Sequence, residues 1–494
     1  MRQELLRLTK HTMIYGTGIV ISKAVSFIML PIYTRYLTPA DYGVIELLTM
    51  TIDIIAITAG MGLDATVFKY YSEYENAEEK EEIISTAAIM MIIVGSVTST
   101  LGIIFADKLS QLVFSQVDNA YYFRLLFLIN FLQSSIVIIS VMFIRAMQKS
   151  KLFVLISLIK LVIQVSLNIY FLVILGMGIS GILYSTLLSD LIIGLYLSIY
   201  TFRRIGFRFS ISKSKKMIKF GYPFIFVSLS SFVLTYSDRY FLNAFNNLNT
   251  VGIYALAYKF GFLLGYLAVV PFMQIWESQR FEIAKQDNAL PIFKRVFLYF
   301  NIVLISLSLL ISLFVKDVLT IMSDPSYLNA YKIVPIIIVA YVIQAWTFYC
   351  NLGIYIKSRS KYMAIASLIS AISVTALNVI LIPKYGAYGA AWATVGAFFI
   401  RFLLVHISSQ KFYHIDYGWS KQLQMLIFSV FIYLCSRTIE TSHIIISLGK
   451  NSFLMLLFGI IIYRFFLDED EKSIIKQFIA NLGSFGKIIQ RLKA

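Results

Sequence analysis

Charge is scarce in this chain. Asp, Glu, Lys and Arg make up 14% of its 494 residues, against about a quarter in an ordinary soluble domain. Apolar residues reach 59%, where about 45 to 50% is usual. A water-soluble fold has no interior large enough for that much apolar surface, so a soluble class is excluded. Cysteine is nearly absent: Cys350 and Cys435 fall in separate apolar runs, which rules out a disulfide framework and leaves both as packing residues, silent on redox compartment. There is no G-x-x-x-x-G-K-[ST]. The GKNS string at 449–452 lacks the upstream glycine, so ATP hydrolysis by a P-loop is excluded. His11, His406, His414 and His443 show no metal-ligand spacing. No metal and no organic cofactor is therefore expected. The opening MRQELLRLTK resembles the start of a signal peptide, but Lys23 interrupts the apolar run and no A-x-A-like site follows, so it reads as a retained first helix.

What the chain does have is a repetition of uncharged stretches. About 20 apolar residues cross the roughly 30 Å hydrocarbon core of a bilayer. Apolar runs bounded by polar turns predict fourteen spans, near 12–36, 41–72, 83–106, 120–147, 152–175, 178–202, 217–243, 250–279, 292–315, 327–356, 362–382, 386–411, 422–440 and 451–467. Several are longer than a perpendicular crossing needs, which implies tilt, kinks or projection into water. The formal net charge of +17 comes from Lys and Arg in the short connections, a topology signal that gives no reason to expect a nucleic-acid partner. With the N-terminus inside, twenty-nine of the 43 cations fall in inward segments, eight in outward ones and six within spans. The bias predicts cytoplasmic N- and C-termini.

The densest basic loop, Arg203 to Lys219, divides the first twelve spans six and six, and the halves echo each other. A shift of 210 residues lays KSKLFVLISLI (149–159) on RSKYMAIASLI (359–369) and Leu167-Asn168 on Leu377-Asn378. After a two-residue slip, GISGILYST (178–186) lies on GAYGAAWAT (386–394). Matching order and orientation make this a parallel repeat with a pseudo-two-fold axis along the membrane normal. The fold expected is an all-α integral membrane protein of about fourteen transmembrane helices, in two six-helix lobes plus two extra C-terminal helices. The division is 1–202 for the first lobe, 203–219 for a basic cytoplasmic linker and 220–411 for the second lobe. Residues 412–467 hold the last two spans, and 468–494 form an amphipathic tail on the cytoplasmic membrane surface. Two lobes with a cleft between them are the build of a transporter.

LPIYTRYLTPADYGVIELL (30–48), the acidic loop after the second span, VGIYALAYKFG (251–261) and the LN…YGAYGAAWAT hairpin resemble the polysaccharide-flippase branch of the multidrug/oligosaccharidyl-lipid/polysaccharide exporter superfamily. The resemblance runs over about the first 410 residues. It implies a multi-pass flippase of the bacterial inner membrane that carries O-antigen or capsule repeat units, linked to undecaprenyl pyrophosphate, from the cytoplasmic to the periplasmic leaflet by alternating access. Its implied partners are the lipid-linked oligosaccharide, membrane lipids, and the polysaccharide polymerase and chain-length machinery.

Ionisable groups at membrane depth are costly, so each needs a partner or an aqueous cavity. Lys23 and Asp53 sit at one level of the first hairpin, and Lys160 and Asp190 face each other between the fifth and sixth spans. Both couples read as structural ion pairs, with a cavity role open for Lys23. A pyrophosphate and acidic sugars call for several cations, and Lys23, Arg35, Lys69, Arg239, Lys259 and Arg401 are the candidates for a cationic cleft. Snorkelling to an interface is the competing reading for Lys69 and Arg239. Lys259 and Arg401, deepest of the set, are expected to face each other's lobe. Asp64, Asp238 and Glu277 are the candidates for Na⁺ or H⁺ coupling, with neutralisation of a nearby cation as the alternative. Pro31, Pro223, Pro271 and Pro335 lie within spans and, with Gly60, Gly62, Gly261 and Gly265, read as kinks, while GFLLG (261–265) reads equally as a packing seam. Most of the 32 Tyr and 40 Phe belong to interfacial belts and core.

Two other functions compete. A drug/cation antiporter of the same superfamily would want an acidic or aromatic cavity. A membrane-embedded sugar polymerase or glycosyltransferase would want a sizeable external loop, and the longest external segment, 107–119, is too short for a catalytic pocket. The chain is accordingly expected to be no enzyme.

Overall fold

The computed structural model describes residues 27–439, 443–469 and 471–472, apart from the side chains of Asp64, Ala65 and Ser278. Its order is α1 (Leu30–Tyr36), α2 (Pro39–Ala59), α3 (Leu63–Glu73), α4 (Ala77–Ile104), α5 (Ala106–Phe114), α6 (Ala120–Ala146), α7 (Ser150–Ile174) and α8 (Gly178–Ile205). Then follow α9 (Ile211–Tyr236), α10 (Asp238–Phe245), α11 (Leu248–Glu277), α12 (Ala289–Met322), α13 (Ala330–Ile356), α14 (Lys361–Phe412), α15 (Trp419–Thr438) and α16 (Ile444–Phe465). No strand occurs among the described residues.

Eleven of these helices are long and apolar enough to cross a bilayer. One of them, α14, is two spans joined at Gly386, whose φ of 54° breaks the helical course. A further span, α15, has 20 residues and is more polar because of Lys421, Gln422, Gln424 and Arg437. These account for thirteen of the fourteen expected crossings. The remaining one, 12–36, lies mostly outside the described residues. The second span does not run unbroken from 41 to 72: α2 stops at Ala59, and Met61 and Gly62 take positive φ of 50° and 64°. Gly62 can take that conformation because it has no Cβ, and a Cβ there would strike the backbone of Gly221.

Local chemistry explains the entry into α2. Pro39 occupies its first turn, and Thr38 caps it: the Thr38 hydroxyl accepts from the Asp41 amide at 3.2 Å while the Asp41 carboxylate accepts from the Thr38 amide at 3.0 Å. The LTPAD string is thus a helix start. Wider, π-type turns interrupt α6 at Gln133–Ile138 and α11 at Gly265–Val269 and close α7 at Ile169–Ile174, the one in α11 starting at the last glycine of GFLLG.

The internal repeat is visible in geometry. Gly178 and Gly386, aligned by sequence, both adopt left-handed φ, 55° and 54°. Three residues on, Gly181 and Gly389 each lie against the backbone of the preceding helix, at Phe171 and Leu381, again an aligned pair. Asn168 and Asn378 are both fully buried. Asn168 donates to the Tyr33 hydroxyl at 2.9 Å and Asn378 to the Ser237 hydroxyl at 3.5 Å, so α1 and the end of α9 occupy equivalent places.

The chain forms two compact units, one running up to Ile275 together with Leu319–Tyr413, the other comprising Trp276–Val318 with His414 onward. The first contains α1 to α8 from one half of the repeat and α9, most of α11, α13 and α14 from the other. In the second, Leu298, Ile305, Leu309 and Leu313 of α12 pack with Met425 and Ile432 of α15 and Phe458 and Ile462 of α16. The ninth span, counted above with the second lobe, therefore shares its apolar cluster with the two extra helices.

Candidate functional site: the seam between the repeat halves

Within the first unit the two halves meet along α2. At its N-terminal end α2 lies against α11 so closely that a Cβ on Gly43 would strike the Leu248 carbonyl, and one on Gly252 the Pro39 carbonyl. Without a hydrophobic drive in lipid, close backbone packing at small residues is what holds helices together. Nearby, the Tyr327 hydroxyl donates to the Leu37 carbonyl at 3.0 Å, and the Arg35 guanidinium to the Ile321 carbonyl at 3.1 Å. Beyond the far end of α2, Gly62 lies on Gly221 of α9. The halves thus touch above and below, and the middle of α2 carries polar groups between the two contacts.

Glu46, Thr49 and Asp53 follow at i, i+3 and i+7, one face of a helix. The Glu46 carboxylate pairs with the Lys259 ammonium of α11 at 3.1 Å, with the Lys259 side chain 37% exposed and that of Glu46 14%. Asp53 is exposed and pairs with no described cation. It is within electrostatic reach of Glu46 and of Tyr236 and Tyr240 from the other half. It lies ten residues past Gly43 and six before the end of α2, about 15 Å and about 9 Å at about 1.5 Å per residue. The Tyr240 hydroxyl shares a hydrogen bond of 2.9 Å with Thr51.

Beside this face is a closed polar knot. Arg239, 1% exposed, donates to the Asp238 carboxylate at 2.6 Å and to the Thr235 carbonyl at 2.7 Å. Its guanidinium carbon lies 3.8 Å from the Tyr258 ring centroid. The second Asp238 oxygen accepts from the Tyr254 hydroxyl at 2.6 Å and from Thr394 at 3.4 Å. A buried guanidinium held this way has its charge matched and its planar face covered.

The six cations of the expected cleft fall in different places. Lys23 lies outside the described residues, so the expected Lys23–Asp53 pair does too. Arg35 is at the end of α1, spent on Ile321. Lys69 is on α3, 3.7 Å from Glu73 and 4.0 Å from the Phe220 ring centroid. Arg239 is enclosed with Asp238. Lys259 stands on the seam, where Glu46 interacts with both it and Arg239. Among the described residues Arg401 makes no ion pair and its Nε has no hydrogen-bond partner. It follows Thr394 by seven residues on α14, and Thr394 meets Tyr258, the neighbour of Lys259, at 3.2 Å. Arg401 is therefore about 10 Å along α14 from the level of Lys259. Lys160 and Asp190 form an ion pair, with Asp190 fully buried. Of the three coupling candidates, Asp238 is in the knot, Glu277 is exposed in the second unit, and the Asp64 side chain lies outside the described residues. Glu46 is a cleft residue outside the set expected from sequence. Its spacing to Asp53 was the available signal.

No curated protein matches the chain by sequence. Among solved structures, the lipid II flippase MurJ in an inward closed conformation is similar with a TM-score of 0.74 at 16% identity, over 92% of this chain and 99% of that one. An inward-facing multidrug resistance MATE family transporter of the MOP superfamily gives 0.62 at 14% identity, over 82% and 97%. An outward-facing MATE transporter of the same superfamily gives 0.56 at 16%, over 82% and 94%. At such identities the likeness is one of fold. The family described as polysaccharide biosynthesis protein matches residues 8–276, more than half of the chain, and with the repeat and the membrane-spanning helices in place, this chain belongs to that family as a multi-pass membrane protein with the fold of the MOP-superfamily transporters.

Proposed function

We propose that the chain is a flippase that moves undecaprenyl-pyrophosphate-linked oligosaccharide repeat units from the cytoplasmic to the periplasmic leaflet of the bacterial inner membrane by alternating access, both termini lying in the cytoplasm. The observation that carries this is the Lys259–Glu46 pair, its lysine partly exposed, on the seam between the repeat halves. A phosphate oxygen is a partner for the ammonium equivalent to the Glu46 carboxylate, so an anionic headgroup can take Lys259 by exchange. The exchange removes a bond that ties α2 to α11, which links headgroup binding to parting of the halves at that end. Arg401, without an ion pair among the described residues and displaced along α14, supplies a second cation for the rest of an extended anion. Ion coupling joins the same mechanism through carboxylates: Asp238 remains a candidate, and the exposed Asp53 adds one free of a described cation.

A drug/cation antiporter is the second reading, and one observation favours it. Glu46 and Asp53 with Tyr236 and Tyr240 nearby supply the acidic and aromatic lining that a cationic drug needs. Mass spectrometry of lipid-linked intermediates separates the two. A deletion strain is expected to accumulate undecaprenyl-pyrophosphate oligosaccharides without a change in drug susceptibility. Unchanged intermediates with raised susceptibility to cationic drugs would overturn the flippase reading.

A further inference from the structure

The second half of the repeat carries a groove. It has a volume of about 330 Å³ and is lined by Asn246, Thr250, Asn329, Lys332 and Tyr388, with Ile253, Ile333 and Gly386 at its floor and wall. All of it belongs to one compact unit. It sits where the α10–α11 turn, the start of α13 and the bend of α14 meet, at the end of these helices opposite the basic Arg203–Lys219 loop. Gly386 shapes it: a Cβ there would stand 3.4 Å from the Asn246 side-chain amide, whereas its repeat partner Gly178 faces open space. Among the described residues only Gly386 of this aligned pair has the side chain of a neighbouring turn against it.

We propose that this groove is a saccharide subsite, with preference for a sugar that bears a negative charge. The inference deepens the flippase reading and rests on it. Sugars are recognised by amides that both donate and accept toward hydroxyls and by aromatic faces against their C–H surfaces, and each is present. The side-chain amides of Asn246 and Asn329 are spent on no hydrogen bond with a described residue, so each offers two donors and an acceptor. Tyr388 is 43% exposed and lines the groove, with its hydroxyl also free of a described partner. The Thr250 hydroxyl donates to Asn247 at 3.0 Å and keeps acceptor capacity. Lys332 is the only charged residue of the lining, is exposed and pairs with no described carboxylate. A lone ammonium among neutral hydrogen-bonding groups selects for a carboxylate or phosphate on the sugar. The position fits release: a headgroup leaving the Lys259 site toward this end passes the groove with its pyrophosphate behind.

Saturation-transfer difference NMR on the purified full-length chain, with methyl β-D-glucopyranoside and glucuronic acid as probes, tests the assignment. Both probes should receive saturation, glucuronic acid several-fold more strongly. Tyr388→Ala and Asn246→Ala should each reduce transfer to both probes at least fivefold, and Lys332→Gln should equalise the two while keeping the neutral sugar's signal. All three positions are exposed, so thermal unfolding should stay at the wild-type midpoint. Absence of transfer to either probe, or transfer indifferent to Tyr388→Ala, overturns the subsite. Failure of the flippase reading is distinguishable: a deletion strain that accumulates no lipid-linked oligosaccharide removes that reading, whereas accumulation without saccharide binding removes only the groove.

Discussion

At the scale of single residues, the charges in the spans divide by whether the fold has already matched them. Asp190 is fully buried and Lys160 is its only cation among the described residues, so removing the lysine strands a carboxylate. Lys160→Ala is expected to destabilise by about 3 kcal/mol, in the range for breaking a buried pair, and Lys160→Ala with Asp190→Asn to recover part of that. Thermal unfolding of the purified variants checks both. Arg239 is equally committed, but through shape: Lys in its place could not keep the Asp238 and Thr235 bonds together with the contact on Tyr258. Arg239→Lys should therefore lower protein abundance. Lys259 is different because its partner is exchangeable. Lys259→Ala, alone or with Arg401→Ala, should cut surface polysaccharide severely at normal expression, and Lys259→Arg should retain most of it. Wild-type polysaccharide in both alanine variants would remove the headgroup site from these positions.

At the scale of helices, small residues set how closely the halves approach. The atoms that a Cβ on Gly252 would meet are backbone, which cannot swing aside as a side chain can. Gly252→Val is expected to separate α11 from α2 and stretch the Lys259–Glu46 pair. Cysteines at Tyr327 and Leu37, whose native groups meet through the tyrosine hydroxyl, should be bridged by a short bifunctional thiol reagent with lower yield in that background, and an undiminished yield would show that the seam tolerates the wedge. Another helix-scale device ties the second unit together. The Asn451 amide of α16 donates to the Leu313 carbonyl at 3.0 Å and to Asp317 of α12 at 2.8 Å, while Ser436 of α15 donates to its oxygen at 3.0 Å. One buried amide thus spans three helices. Asn451→Leu should cost about 1 to 3 kcal/mol through the groups it leaves unsatisfied, read as a lower unfolding midpoint.

At the scale of the whole chain, the repeat and the basic-residue bias make a topology that can be tested directly. A periplasm-active reporter fused after residue 494 is expected to be silent in whole cells. Activity there would reverse the orientation and with it the direction assigned to the groove at Asn246.

The sequence alone determined the class of this protein and the order of its crossings. A span is a local property, about 20 residues matched to one hydrocarbon thickness, and a parallel repeat leaves its glycines and asparagines at nearly constant offset, 208 residues for Gly178 with Gly386 and 210 for Asn168 with Asn378. Even the start of α2 was written locally, in Thr38, Pro39 and Asp41. The break after Ala59 was legible as a kink at Gly60 and Gly62, and Gly62 takes a positive φ there, but only tertiary structure sets it against Gly221. The pairing of charges was decided only by tertiary structure. Glu46 and Lys259 lie far apart in the chain, and whether a buried charge is neutralised depends on which group stands within a few ångströms in a low-dielectric setting, a relation that no spacing along one helix encodes.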